Sequence, residues 1–340
     1  MTAVPSPRAL PPLSRATAPV RLDFAGGWTD VPPFAAREGG AVVNAALTLR
    51  VSAEFEPARE GLLLHAEELN QAAVIRTPAD LAPAGVLDLH RAAARMFPPG
   101  PGTLRTRSSV PAGSGLGSSG ALDVALVAAL APHRGDALDP AEIAAQACHL
   151  EMVEAGMAGG RQDQYAAALG GFNFLEFHDG DVVATPLTLD PAFLAELERR
   201  TVICYTGRSR VSGETISRVM GAYERGDAGV TRALRELVTI TARMREALVA
   251  ADLAGVAALL SENWRRQQAL DPVMCTPEMA TLERAMSAAG ALGGKAAGAG
   301  AGGCMFFIMG GKADAGLAAA REAGATVLEA GWSATGVERC

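Results

Sequence analysis

Pro111-Ala112-Gly113-Ser114-Gly115-Leu116-Gly117-Ser118-Ser119 lies between an extended stretch at 104–110 and an apolar run at 120–130. The pattern predicts a strand, a glycine-rich loop and a helix opening from the two serines. Small residues let main-chain N–H groups approach a polyphosphate, and the first turn of a following helix adds unpaired donors and the positive end of its dipole. An ordinary mobile loop closed by a Ser N-cap is the competing reading. The adjacent Pro111, Leu116 and the paired serines weigh toward a phosphate cradle. No G-x-x-x-x-G-K-[ST] occurs anywhere in the chain, which excludes a Walker A loop.

Two further glycine-rich segments lie downstream. Asp139 as N-cap, Pro140 and Glu142 form a capping box that starts a helix expected to run to about residue 157. Glu151 falls on the flank of that helix, beside the apolar face set by Ile143, Ala147 and Leu150. A carboxylate there needs a partner or a cation, so Glu151 is read either as a Mg²⁺ ligand or as a half-exposed flank residue. The helix leads into Gly159-Gly160-Arg161-Gln162-Asp163-Gln164, where a loop places Asp163 either as a turn former or as a catalytic carboxylate able to approach a substrate. The third segment, Gly298-Ala299-Gly300-Ala301-Gly302-Gly303, formally matches G-x-G-x-x-G. A dinucleotide fingerprint must follow a strand and open a helix. Here the pattern predicts a helix before it, at 277–289, and a strand after it, at 304–309, so the Rossmann reading is rejected.

At 340 residues the chain suggests two domains. With 49% hydrophobic and 20% charged residues it has the composition of a soluble globular protein. A formal net charge of −7 argues against a nucleic-acid partner, which calls for a basic face. Five scattered cysteines without a C-x-x-C pair read as reduced thiols of a cytoplasmic protein. Residues 1–17 read as a flexible tail without a signal-peptide core. The longest uncharged stretch, 296–311, is too short and too rich in glycine to span a membrane. The irregular alternation of elements indicates an α+β fold, with a boundary near 190–200 that separates residues 18–195 from 196–340.

Together the segments resemble the GHMP kinase superfamily. Ala18-Pro19-Val20-Arg21-Leu22-Asp23-Phe24 looks like its first motif, 111–119 like its phosphate loop and 298–303 like its third motif, in the family's order. The stretches 24–33, 160–174 and 205–210 are similar to sugar 1-kinases acting on D-glycero-D-manno-heptose 7-phosphate and on L-fucose. Gly27-Trp28 is the more fucokinase-like pair.

The resemblance implies an N-terminal domain like the second domain of ribosomal protein S5 and a ferredoxin-like C-terminal domain, with the active site between them. It implies an ATP- and Mg²⁺-dependent kinase acting on a sugar or sugar phosphate, as a monomer or homodimer. The anomeric hydroxyl of the heptose phosphate is the first expectation; fucose or a cyclitol is the alternative, and a non-catalytic sugar-binding protein the more distant one. The implied ATP contacts are Pro111, Gly113, Ser114, Gly115, Leu116, Gly117, Ser118 and Ser119, with Gly300 and Gly302. Ser119 and Glu151 are implied for Mg²⁺. Asp163 is the expected base, or orients the hydroxyl, and Arg21 neutralises the transferring phosphoryl group. Asp30, Trp28, Gly27, Gln162, Arg161 and Tyr165 are expected around the sugar. Arg208 and Arg210 are either anchors for a sugar phosphate or a solvated basic turn.

Overall fold

The computed structural model describes residues 13–208 and 212–340. The chain opens with β1 (Ser14–Ala25), α1 (Phe34–Glu38), β2 (Gly40–Pro57), β3 (Leu62–Ala66) and β4 (Gln71–Ile75). Next come α2 (Asp88–Met96), β5 (Gly102–Ser108), α3 (Ser118–Leu130), α4 (Pro140–His149) and α5 (Gln162–Leu169). The hairpin β6 (Phe172–His178) and β7 (Asp181–Pro186) leads to α6 (Pro191–Arg200) and β8 (Thr201–Tyr205). Three helices follow: α7 (Ser212–Glu224), α8 (Ala228–Val249) and α9 (Leu253–Gln268). The chain ends with α10 (Pro277–Ala288), β9 (Ala291–Ala296), β10 (Cys304–Met309), α11 (Asp314–Glu322), β11 (Thr326–Leu328) and β12 (Glu338–Arg339).

Two sheets organise these elements. The first runs β12-β1-β2-β5-β3-β4, with β6 paired to β2 and β7 to β6. The length of β2 explains the branching: Gly40–Ala45 pair with β6 while Val51–Pro57 pair with β5. The second sheet runs β11-β8-β10-β9 and is antiparallel throughout. Its order, with helices between the first and second and between the third and fourth strands, is the ferredoxin-like βαββαβ arrangement.

The apolar run 120–130 has almost every residue buried, so α3 lies inside the first half with β1 and β2 against it. The capping box forms as the sequence requires: Asp139 Oδ1 accepts from the Glu142 N–H at 2.9 Å, and Glu142 Oε2 from the Asp139 N–H at 2.8 Å. The two sheets share one core. Phe24 of β1 stacks obliquely on Phe306 of β10 with ring centroids 5.3 Å apart, and Phe172 and Trp332 close the same aromatic cluster.

The structure departs from the sequence reading at several points. β1 opens at Ser14, so residues 14–17, expected within the tail, pair with β2, and Ala16 and Thr17 also pair with β12. The strands β3, β4 and β12 are short and carried no clear pattern. α4 ends at His149 and continues as a π-helical turn, Leu150–Glu154, in which the Ala155 N–H bonds to Leu150 O. The third glycine segment is preceded by strand β9 rather than directly by a helix, so it connects two antiparallel strands. Glycines 293 and 294 hid that strand by their low β-propensity. They are required there because a Cβ would meet Ala257 O at 1.9 Å and the Phe307 ring at 2.2 Å, respectively.

Candidate active site

The residues of the three glycine-rich segments converge on one cavity of about 560 Å³ between the two halves. The phosphate loop leaves β5 and enters α3 with Gly113, Gly115 and Gly117 all at positive φ (72°, 77° and 74°). This alternation is open to glycine at little steric cost and turns successive peptide groups so that small residues face the cavity. Gly113, Gly115, Gly117, Ser118 and Ser119 line the cavity. Ser114 and Leu116 point the other way and are fully buried, and exposed Pro111 stands outside the cavity wall. The third segment presses on the loop from behind: the Cys304 N–H donates to Ser114 O at 2.6 Å. From that segment Gly298 and Ala299 reach the cavity, whereas the expected contacts Gly300 and Gly302 do not line it.

Arg21 joins all three segments. Its Nη1 donates to Gly115 O (2.8 Å) and Ala297 O (2.9 Å), and its Nε and Nη2 both meet Asp163 Oδ1 at 2.8 Å. Asp163 lies in the first turn of α5, not in a loop. Its position is set by Gly120 of α3, where an added Cβ would stand 2.5 Å from Asp163 Cβ. The helix–helix approach that aims the carboxylate therefore requires a glycine.

The π-helical turn carries Glu151. It accepts from Ser119 Oγ–H at Oε1 and from Gln164 Nε2–H at Oε2, each at 2.6 Å. Burial pushes its carboxyl up to about 6 against the lowering effect of both hydrogen bonds, with the Asp163 charge adding to the rise. A carboxylate touching a hydroxyl beside a helix N-terminus fits Mg²⁺, which takes one or two protein oxygens and completes its shell from phosphates and water. No group of three or more His, Cys, Asp or Glu side chains placed to hold a metal occurs among the described residues.

On the same cavity, Asp30 is 2% exposed and accepts from the Gln162 N–H at Oδ2 (3.0 Å). Burial, aided by the charges of Asp163 and Asp23, raises its carboxyl to about 6. Gly27, Trp28, Asp30 and Gln162 line the cavity, and Trp28 donates from Nε1 to Ala299 O at 3.2 Å. Other expected sugar contacts lie elsewhere. Arg161 bonds Gly180 O, Tyr165 packs against apolar core residues, and exposed Arg208 pairs with Glu278 at 3.2 Å. Arg210 lies outside the described residues.

Two charged residues escaped the sequence reading. Lys295, fully buried on β9, donates to Asp23 O (2.6 Å) and meets Asp23 Oδ2 (3.0 Å), tying the second sheet to β1 two residues from Arg21. Asp123 is fully buried beside Glu151 and Gln164, and burial drives its carboxyl well above the usual range. The available signals were a lone lysine among glycines and alanines, and a lone aspartate in the apolar run of α3.

The N-terminal domain profile of the GHMP kinases matches residues 80–171, and the C-terminal profile matches residues 244–326. The D-glycero-alpha-D-manno-heptose 7-phosphate kinase of Campylobacter jejuni is 32% identical over 303 residues, covering 87% of this chain and 89% of that protein. The bifunctional fucokinase/GDP-fucose pyrophosphorylase of Arabidopsis thaliana is 29% identical over 317 residues, 88% of this chain but only 30% of the larger protein. The galactokinase of Lactococcus lactis, solved with galactose, superposes with a TM-score of 0.77 at 18% identity over 96% of this chain and 95% of that one, a likeness of fold alone. Domain profiles, full-length similarity and the convergence of three glycine-rich segments on one cavity agree: this chain belongs to the GHMP kinase superfamily.

Proposed function

We propose that the chain is a Mg-ATP-dependent sugar kinase that transfers the γ-phosphoryl group of ATP to the anomeric hydroxyl of a sugar of the heptose or fucose type. The observation that carries this reading is the placement of Asp163. Arg21 bonds both Asp163 and Gly115 O of the phosphate loop, and Asp163 lines the same cavity as Asp30, Ser119 and Glu151. Similarity to the heptose phosphate kinase and the fucokinase supports a sugar as acceptor.

Phosphoryl transfer rests on positioning and charge neutralisation. The loop at 113–119 and the start of α3 hold the ATP phosphates through main-chain N–H groups. Ser119 and Glu151 are the protein ligands suited to Mg²⁺, which when bound neutralises phosphate charge. Asp30 accepts hydrogen bonds from sugar hydroxyls and turns the reacting one toward Asp163. The acceptor oxygen forms its bond to the γ-phosphorus as the bond to the β–γ bridging oxygen breaks. The hydroxyl proton passes to Asp163, and ADP leaves. Arg21 spends its donors on Asp163 and two carbonyls, so it acts by holding the carboxylate and supplying positive charge beside the loop.

The test is ADP release from Mg-ATP with heptose 7-phosphate, L-fucose, galactose and a cyclitol at equal concentration. Release stimulated by a sugar is expected; release stimulated only by the cyclitol, or by none, contradicts the proposal. No described helix is long and apolar enough to cross a membrane.

A further inference from the structure

The transfer step leaves the buried acid of α3 without a task. Asp123 is fully buried, and Val124, Ala125, Leu126 and Val127 are buried beside it along the helix. Neither of its carboxyl oxygens has a hydrogen-bond partner among the described residues. The charges that act on it are those of Glu151 and Asp163, both negative. An ionised carboxylate so placed is costly. Burial, with those two charges adding to it, drives the group toward its neutral form.

Gln164 of α5 is the neutral polar side chain beside it. Gly120, one turn earlier on α3, packs so closely on the start of α5 that an added Cβ would lie 3.0 Å from Gln164 N. Asp123 follows three residues on, along the same face of α3. Gln164 commits Nε2 to Glu151 Oε2 at 2.6 Å, while its Oε1 is buried and without a donor among the described residues. A neutral carboxyl group supplies one O–H donor, which is what Gln164 Oε1 lacks. With that proton in place the amide presents its NH₂ to Glu151. Turned over, it would set an oxygen against the carboxylate.

We propose that Asp123 is a positioning residue for the cation site: it donates to Gln164 Oε1 and so locks the amide that holds Glu151. The inference rests on the Mg-ATP kinase reading and deepens it. Glu151 sits on the π-helical turn and is held at Oε1 by Ser119 and at Oε2 by Gln164. Ser119 is itself suited to the cation, so Gln164 is the contact whose task is orientation alone. Hydrogen bonds in series polarise one another, and a proton accepted at Gln164 Oε1 strengthens the donor at Nε2.

The test reads metal binding rather than turnover alone. The complex of the protein with a non-hydrolysable ATP analogue is titrated with Mn²⁺ and followed by electron paramagnetic resonance, beside the Mg²⁺ dependence of ADP release. Gln164→Leu should weaken Mn²⁺ binding by about 10–100-fold, the usual effect of losing an outer partner of a metal-binding carboxylate. Asp123→Leu, accepted by its apolar surroundings, should weaken it by about tenfold, whereas Asp123→Asn keeps an N–H donor and should stay close to the parent. In the Asp123→Leu, Gln164→Leu double variant the loss should equal that of Gln164→Leu alone, because both act through one hydrogen bond. The infrared band of a protonated carboxylic acid, present in the parent at neutral pH, should disappear in Asp123→Asn. Parental Mn²⁺ affinity in Asp123→Leu, additive losses in the double variant, or no infrared band assignable to Asp123 overturns the inference and leaves the kinase reading intact. Should Asp123→Leu fail to fold, Asp123→Asn and the infrared band decide the matter. Metal affinity unmoved by Glu151→Gln as well overturns the metal assignment on which the inference rests.

Discussion

Replacing Asp163 by Asn is the most informative single perturbation. Arg21 directs both Nε and Nη2 to Asp163 Oδ1, and Oδ2 makes no hydrogen bond among the described residues. That second oxygen is the atom available to an acceptor hydroxyl. The amide keeps the shape and can still give Arg21 one oxygen, but it cannot take a proton. Loss of a general base lowers kcat by about 10²–10⁴, equivalent to roughly 3–5 kcal/mol of transition-state stabilisation. The effect on folding is smaller. Arg21 is 3% exposed but retains its bonds to Gly115 O and Ala297 O, so the variant should lose about 1–3 kcal/mol, the range for weakening a hydrogen bond to a buried charged group. Steady-state ADP release at saturating ATP and sugar gives kcat, and a urea melt gives stability. The reasoning predicts a large fall in kcat with KM for ATP nearly unchanged. A kcat within tenfold of the parent, measured on protein shown to be folded, would refute it.

Three other outcomes follow from the geometry. Glu151→Gln removes a negative charge from the pair with Ser119, so the Mg²⁺ concentration giving half-maximal activity should rise about tenfold or more, a loss of at least 1.4 kcal/mol; an unchanged Mg²⁺ titration would contradict the assignment. Lys295→Met leaves Asp23 buried and unpaired and should destabilise the fold by about 3–5 kcal/mol, with partial recovery in the Lys295→Met, Asp23→Asn double variant; a urea-denaturation double-mutant cycle with no coupling would count against the pair as a tie between the sheets. Asp30 has a carboxyl raised from 3.8 to about 6, so the folded form binds more protons than the unfolded form between those values. Its contribution is therefore favourable below about pH 4 and is lost as pH rises through 6. Asp30→Asn should then gain stability relative to the parent by roughly 2 kcal/mol on going from pH 4 to pH 7, and a pH-independent difference between the two melts would reject the assigned shift.

Much of the site was legible because glycine patterns report backbone demands directly. The loop at 113–119 places alternate glycines at positive φ, and the capping box at Asp139 set the start of α4. Glu151 and Asp163 could be singled out as isolated carboxylates, but not the π-helical turn that swings Glu151 to Ser119, since one additional residue in a helical turn leaves no compositional trace. The Lys295–Asp23 pair joins residues 272 positions apart and depends wholly on tertiary packing. Arg161 and Arg208 show the opposite failure. Arg161 was expected beside the sugar and the charge of Arg208 suggested phosphate recognition, yet side-chain direction in three dimensions gives them other partners. β12 was invisible because two residues acquire strand character only from the neighbour that pairs with them.

The central claim is that main-chain amides of the phosphate loop present a nucleotide's terminal phosphate to Asp163. A crystal structure with Mg²⁺, a non-hydrolysable ATP analogue and a sugar tests it directly. The account predicts the γ-phosphorus near Ser119, with a sugar hydroxyl about 3–3.5 Å from it and hydrogen-bonded to Asp163. A triphosphate bound away from residues 113–119, or a γ-phosphorus on the far side of the cavity from Asp163, would contradict it.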